Sequence, residues 1–226
     1  MRLLLIRHGQ TPSNVLGLLD TDAPGPGLTE LGRTQAERIP EALGDREVHG
    51  IYVSTLRRTH LTAAPLAAHR GIEPVLLPGI HEIEAGELEK ASDHDAVRAY
   101  LTTAFAWGAG DLSPRMPGGS DGAEFFARYD EGIAVVEAAG HGTAVVVSHG
   151  AAIRVWVAGR VTNIPPMFAG RHELDNTGVV ELEGSMSEGW RLLAWQGTPV
   201  GGEQFSDDAA EDPTGETLAD AGADRA

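Results

Sequence analysis

Short buried strands alternating with amphipathic helices predict an α/β domain: a three-layer sandwich with a largely parallel central sheet, helices on both faces and a cap insertion. Three observations carry that expectation. Leu3-Leu4-Leu5-Ile6 and Ala144-Val145-Val146-Val147 are short uninterrupted apolar runs, which suit strands covered on both faces. Helical patterns fall between such runs rather than in a separate block. At 226 residues, 42% hydrophobic and 22% charged, with no internal repeat, the chain fits one globular unit and neither a solenoid nor a disordered polymer.

Taken in order, residues 3–6 form the first strand. Thr29 is the N-cap for a helix over 30–43, with Leu31, Ile39 and Leu43 on its apolar face and a kink at Pro40. Residues 50–54 read as a strand, and 55–69 as an Ala- and Leu-rich helix interrupted by Pro65. Ser92-Asp93-His94-Asp95 resembles a capping box opening a helix that runs through Tyr100 to about Trp107. Phe125, Phe126, Tyr129, Ile133 and Val136 define a long amphipathic helix over 123–139. Residues 144–148 form another buried strand, followed by a helix over 151–158. Residues 178–182 and 191–195 pair as an antiparallel edge. A single domain is thus expected over 1–200, with 83–122 as a cap over the sheet edge. Residues 201–226 hold eight acidic residues, one Arg and one Phe, too little apolar surface to offset ordering. They read as a disordered, solvated acidic tail.

Composition removes several functions. There are 17 Lys and Arg against 33 Asp and Glu, a formal charge of −16, which disfavours nucleic acid and anionic membrane as partners. No cysteine is present, so disulfide, thiol and thiolate-metal chemistry are excluded. The N-terminal apolar run is too short for a signal peptide and no stretch is long enough to span a bilayer, so a cytoplasmic location is expected.

Chemistry concentrates at one place. The first strand runs into Arg7-His8-Gly9 and the 144–148 strand into His149-Gly150. In open α/β sheets ligands bind beyond the carboxyl ends of the strands, so two imidazoles reach one edge, each beside a glycine that admits a ligand to the backbone. Gly150 also opens a helix whose N-terminal N–H groups favour an anion. The 50–54 strand delivers Arg57 and Arg58 to the same edge, and an arginine fork matches phosphate. A positive pocket in an acidic body points to phosphate.

These residues carry a family resemblance. Leu5-Ile6-Arg7-His8-Gly9-Gln10-Thr11-Pro12-Ser13-Asn14 resembles the signature of the histidine phosphatase superfamily, in its phosphoglycerate-mutase-like branch. Leu28-Thr29-Glu30-Leu31-Gly32 with Gln35-Ala36, Ser54-Thr55-Leu56-Arg57-Arg58-Thr59 with Thr62-Ala63, and Val147-Ser148-His149-Gly150 resemble its later blocks in the right order. The resemblance implies a phosphoglycerate-mutase-like fold and a phosphoric monoester hydrolase of histidine acid phosphatase type. It makes His8 the nucleophile that becomes a phosphohistidine. Arg7, Arg58 and His149 would clamp the phosphoryl oxygens, with Asn14 and Gly150 also contributing to phosphate binding. Ile80-His81-Glu82-Ile83 resembles the segment that supplies the proton donor, which makes Glu82 that group. Arg57 falls off the family position and reads as a surface charge. The family pattern of Gly, two residues, Glu, Gly with an aromatic is absent from Ala85-Gly86-Glu87-Leu88-Glu89, which puts that loop's geometry in question.

No cofactor is implied, since neither a nucleotide-binding glycine loop nor a dinucleotide fingerprint occurs. His60, His81 and His94 lack metal-ligand spacing, so no metal is expected. The partner is a small-molecule phosphate monoester; a homodimer is left open. Two other functions stay in view. A mutase would need a site for a second phosphate, yet residues 83–122 hold Lys90, Arg98 and Arg115 against seven acidic side chains. A non-catalytic phosphate-binding or interaction module would be expected to lack the nucleophile or the donor. Tyr100, Phe105, Trp107 and Met116 in the cap read as packing rather than as ligand contacts.

Overall fold

The computed structural model describes residues 1–165, 167–207 and 209–217. Six strands, β1 (Arg2–Arg7), β2 (Gly50–Val53), β3 (Val75–Leu76), β4 (Thr143–Ser148), β5 (Val179–Ser185) and β6 (Gly189–Gln196), form one sheet in the order β3-β2-β4-β1-β5-β6. The first four in that order run parallel, and β5 and β6 are added antiparallel at one edge.

Strand periodicity explains the continuous apolar runs. Alternate residues face opposite sides, and both sides are covered. Leu3, Leu5, Ala144, Val146 and Val180 pack with α4 (His94–Gly108), α5 (Gly122–Ala138) and α6 (Gly150–Arg160). Leu4, Ile6, Val145 and Val147 pack with α2 (Glu30–Leu43) and α3 (Arg57–Arg70) on the other face. Burying each of these Leu, Ile and Val side chains contributes roughly 1.5–3 kcal/mol, so none of them can turn polar without loss. The result is the three-layer arrangement expected, with residues 83–122 supplying α4 to one layer. Tyr100, Phe105, Trp107 and Met116 are all buried there, which agrees with packing.

Caps set the helix starts. Thr29 accepts from the Gly32 N–H at the head of α2. Asp121 and Glu124 form a reciprocal box on α5. α4 differs from expectation: Asp93 alone caps it, accepting from the Ala96 N–H. A box needs a side-chain acceptor three residues after the cap to return the bond, and Ala96 has none. Sequence periodicity also passed over β3 and two single-turn helices, α1 (Pro12–Val15) and α7 (Phe168–Arg171). Elements of two to four residues are too short to show a period.

Topology creates the crevice. β1 and β4 are neighbours, with Arg7 in register with Ser148, but the chain leaves β1 towards α2 on one face and β4 towards α6 on the other. Diverging connections open a gap beyond the strand ends, where ligands bind in such sheets.

The largest difference from expectation concerns the C-terminal region. Residues 201–207 and 209–217 do not run free in solvent. Gln35 Nε2 donates to the Phe205 carbonyl at 2.7 Å, Gln10 Nε2 donates to Asp207 at 2.8 Å, and Asp212 is buried. Counting charges treats every carboxylate as hydrated, whereas these meet fixed donors on the body. Residues 218–226 of the expected tail lie outside the described residues.

Candidate active site

Beyond β1, the His8 N–H donates to the Ser148 carbonyl at 3.0 Å, which locks the end of β1 to the end of β4. The His8 carbonyl accepts from Asn176 Nδ2 at 3.0 Å. Gly9 is required by close approach, because a Cβ there would stand 2.6 Å from the Gly32 carbonyl oxygen on α2. His8 Nδ1 lies 2.9 Å from the Gly9 carbonyl oxygen. A carbonyl can only accept, so Nδ1 carries the proton and Nε2 keeps its lone pair. Burial, then the charges of Arg58 and Arg7, hold the His8 imidazole well below its ordinary value of 6.5. It is therefore neutral, the form a nucleophile needs.

His149 sits across from His8, ring centroids 5.2 Å apart. Its Nδ1 accepts from Arg58 Nε at 3.2 Å, and its Nε2 lies 2.8 Å from Ser54 Oγ. With Nδ1 accepting, Nε2 bears the proton and donates to Ser54. Burial, then Arg58 and His8, hold this imidazole well below its ordinary value as well. Both ring nitrogens are thus engaged with protein, and the direct effect of His149 here is to orient the Arg58 fork.

Arg58, at the start of α3, also donates Nη2 to the Asp20 carbonyl at 3.0 Å. Its Nη1 is buried with no partner among the described residues, as is Arg7 Nε. Buried donors of this kind are rare and need a reason. Burial lowers the Arg58 guanidinium to about 10, against the opposing pull of Glu82 and Asp20. Arg7 is fully buried, with Nη1 donating to the Leu174 carbonyl at 2.8 Å and Nη2 to Asp212 Oδ1 at 2.7 Å. Burial acts to lower its basicity, but Asp212 outweighs that and the shift is upward. Asn14 is fixed by a box with Thr11, its Oδ1 accepting from the Thr11 N–H at 2.9 Å, and its Nδ2 donates to Asp212 Oδ1 at 3.1 Å. Gly150 opens α6 beside Arg7, where a Cβ would stand 2.9 Å from Arg7 Nε.

Glu82 follows a short 3-10 turn (Pro78–Ile80), and its carboxylate meets the head of α6. Oε1 accepts from the Ile83 and Ala152 N–H groups at 2.8 Å each, and Oε2 from Ala151 at 3.2 Å. The segment carrying it is clamped from α5 by Arg128, which donates to the carbonyls of Gly79, His81 and Glu82 at 2.8, 2.9 and 2.8 Å. The unusual loop after it is tied down by Glu89, which accepts from Thr21 Oγ1 at 2.6 Å.

His8, Asn14, Arg58 and Glu82 line one small cavity, together with Asp20 and Thr214. Arg7, Gly150 and His149 do not line it: Arg7 and Gly150 lie against Thr214, and His149 acts through Arg58. Arg57 is exposed, as a surface charge should be. His60 is engaged with the Ser54 carbonyl and His81 with Glu84. Among the described residues no group of three or more His, Asp or Glu side chains is placed to hold a metal ion. Ser54, Asp20, Asn176, Asp212 and Thr214 were not among the expected site residues. Asp212 and Thr214 had a local signal in the turn-forming run Asp212-Pro213-Thr214-Gly215, and Asn176 one in Asp175-Asn176-Thr177-Gly178.

The two neutral imidazoles make stability pH-dependent. In the unfolded chain each takes a proton near pH 6.5, while in the folded protein each resists it. Below that pH the unfolded state binds more protons, so unfolding free energy falls with acidification and levels off above about pH 6.5. Linkage gives a slope approaching about 1.4 kcal/mol per pH unit for each imidazole. Urea midpoints between pH 5 and 7 should show this rise, and the His8→Ala variant should lose one imidazole's share of it.

The chain is similar to several known proteins. The family model for the histidine phosphatase superfamily (branch 1) matches residues 3–198. A PE-PGRS family protein of Mycobacterium tuberculosis is 41% identical over 212 residues, covering 87% of this chain and 36% of that protein. An adenosylcobalamin/alpha-ribazole phosphatase of Salmonella typhimurium is 32% identical over 128 residues, 57% of this chain and 62% of that one. The chain thus spans about a third and three fifths of these two relatives. Among solved structures, a mycobacterial glucosyl-3-phosphoglycerate phosphatase in complex with VO3 superposes with a TM-score of 0.72 at 28% identity, over 87% of this chain and 99% of that one. No helix among the described residues is long and apolar enough to cross a membrane.

Proposed function

Since the chain belongs to the histidine phosphatase superfamily, branch 1, we propose that it is a phosphatase that hydrolyses small phosphomonoesters through a phosphohistidine on His8, with Glu82 as proton donor. The observation that carries this reading is the His8 tautomer. Nδ1 is committed to the Gly9 carbonyl, and burial keeps the ring neutral, so the Nε2 lone pair is available beside the cavity.

In the first half-reaction Nε2 attacks phosphorus and the ester P–O bond breaks. Arg58 Nη1 and Arg7 Nε, both buried and unpartnered among the described residues, are the donors for the phosphoryl oxygens, where fixed charge counts most in a dry site. Two carboxyl groups line the cavity. Asp20 is taken up by Ser13 at 2.5 Å and by Lys90, whereas Glu82 meets backbone N–H groups only. A proton on the Glu82 carboxyl passes to the leaving oxygen. In the second half-reaction Glu82 accepts a proton from water as that water attacks phosphorus, the P–N bond breaks, and inorganic phosphate leaves.

Hydrolysis is favoured over a mutase reaction by the cations of the cap. Lys90 is paired with Asp20 and Glu89, and Arg115 with Asp121 and Glu124, so of the three cap cations only exposed Arg98 is left for a second phosphate. The phosphatases among the similar proteins are named for small phosphorylated metabolites, which supports that substrate class here. The low basicity of His8 supports activity on the acid side of neutrality, in keeping with an acid phosphatase.

The test is aryl phosphate hydrolysis from pH 4 to 8 with EDTA present. Turnover that persists in EDTA and extends below pH 6.5 is the expected result. Its absence in wild-type protein across a panel of metabolite phosphates would sink the reading.

A further inference from the structure

Asp212 lies 205 residues from Arg7 in sequence but against it in space. Its Oδ1 accepts from Arg7 Nη2 at 2.7 Å and from Asn14 Nδ2 at 3.1 Å, and its Oδ2 stands 2.6 Å from the same Arg7 nitrogen. Arg7 and Asn14 are two of the groups expected to bind phosphate. We infer that Asp212 is an internal competitor for the anion subsite, carried on a strap over residues 209–217 that a phosphoryl group must displace in order to engage Arg7 Nη2 and Asn14 as well. The identity of the displacing ligand rests on the phosphatase reading above.

The strap is built to seat on the arginine. The Asp212 carbonyl accepts from the Gly215 and Glu216 N–H groups at 3.2 and 3.3 Å, closing a turn, and Pro213 presets its backbone. Thr214 Oγ1 accepts from Arg7 Nη2 at 3.0 Å, and the Thr214 carbonyl accepts from buried Arg154 Nη1 at 2.9 Å. The Gly215 carbonyl accepts from the Leu174 N–H at 2.9 Å, the residue whose own carbonyl binds Arg7. At Gly215 any Cβ would collide with Arg7 Nη1, so the turn can lie on the guanidinium only because that residue is glycine.

Thr214 lines the cavity beside His8 and Arg58 while its Oγ1 holds Arg7 Nη2, so the strap forms one wall of the space a phosphoryl group would enter. With the strap seated, Arg7 Nη2 and Asn14 Nδ2 are taken up by Asp212, and a phosphoryl group is left with Arg7 Nε and Arg58 Nη1. The strap also sets selectivity. A carboxylate offers one negative charge, whereas a phosphate dianion offers two, with three terminal oxygens for Arg7, Arg58 and Asn14. A dianion can displace Asp212 where a carboxylate monoanion competes on equal terms at best.

Calorimetric titration with inorganic phosphate at pH 7.5 tests this on wild-type protein, Asp212→Asn and Gly215→Ala. The first variant removes the competing charge; the second keeps it and unseats the turn. A strap seated nine-tenths of the time weakens apparent affinity by up to about tenfold. Each variant should therefore bind phosphate up to about tenfold more tightly than wild type, while acetate binds weakly to wild-type protein. Unchanged or weaker phosphate binding by Asp212→Asn would overturn the inference, since Asp212 would then be orienting Arg7 for the ligand. Phosphate affinity is read without turnover, so the two readings fail separately. A silent wild-type enzyme with tighter-binding variants contradicts the phosphatase alone, and an active enzyme with unchanged variants contradicts the strap alone.

Discussion

Replacing His8 by alanine should abolish phosphomonoester turnover, with a loss in kcat of about 10⁴-fold or more, the scale seen when a covalent nucleophile is removed. No neighbouring group can substitute. The other imidazole at the site, His149, has Nδ1 committed to Arg58 and Nε2 to Ser54, so it has no free lone pair to offer phosphorus. The arginines would remain, and with them phosphate binding. The loss should therefore fall on kcat while the variant still binds inorganic phosphate and keeps the far-ultraviolet dichroism of the wild type. Residual turnover within tenfold of wild type would mean that another atom attacks phosphorus.

The second large effect concerns Glu82→Gln. The amide keeps the size of the side chain and can still accept from Ile83 and Ala152, but it cannot deliver a proton. A general acid typically contributes about 10²–10⁴-fold, and its share depends on the leaving group. p-Nitrophenolate departs without protonation and should lose little in the first half-reaction. An alkyl phosphate, whose alkoxide is a poor leaving group, should lose the full amount. Measuring kcat/KM for both esters isolates that first step. Equal losses for the two would remove Glu82 from the donor role, leaving it as a structural acceptor at the head of α6.

Much of this arrangement is legible in the sequence because it is local. A buried strand that ends in Arg7-His8-Gly9, another that ends in His149-Gly150, and a helix capped by Thr29 all announce themselves within a few residues. The position of Glu82 came through the family resemblance, and its contacts with α6 were invisible, since they depend on how Arg128 clamps the preceding turn. β3, α1 and α7 were passed over for lack of length.

The C-terminal region shows the limit most clearly. Its acidic composition is that of a solvated tail, and charge counting is blind to where a carboxylate finds a donor. Asp212 pairs with an arginine at the opposite end of the chain, and no local pattern encodes such a contact. Only the Asp-Pro-Thr-Gly run hinted that the chain turns there. The same point applies to the acidic body as a whole. A net charge of −16 coexists with buried Arg7, Arg58 and Arg154 and half-buried Arg128 in the same part of the fold as the two imidazoles. Burial and mutual repulsion disfavour holding these cations together, and the carboxylates of Glu82 and Asp212 offset part of that cost.

The central claim is a covalent bond between phosphorus and His8 Nε2, and rapid quenching of the enzyme with a ³²P-labelled phosphomonoester tests it most directly. A phosphoramidate is hydrolysed in acid and survives alkali. The account predicts label on the protein that is stable to alkali, released by acid, and absent from the His8→Ala variant. Turnover with no protein-bound label at any quench time, or label that persists in the His8→Ala variant, would contradict it.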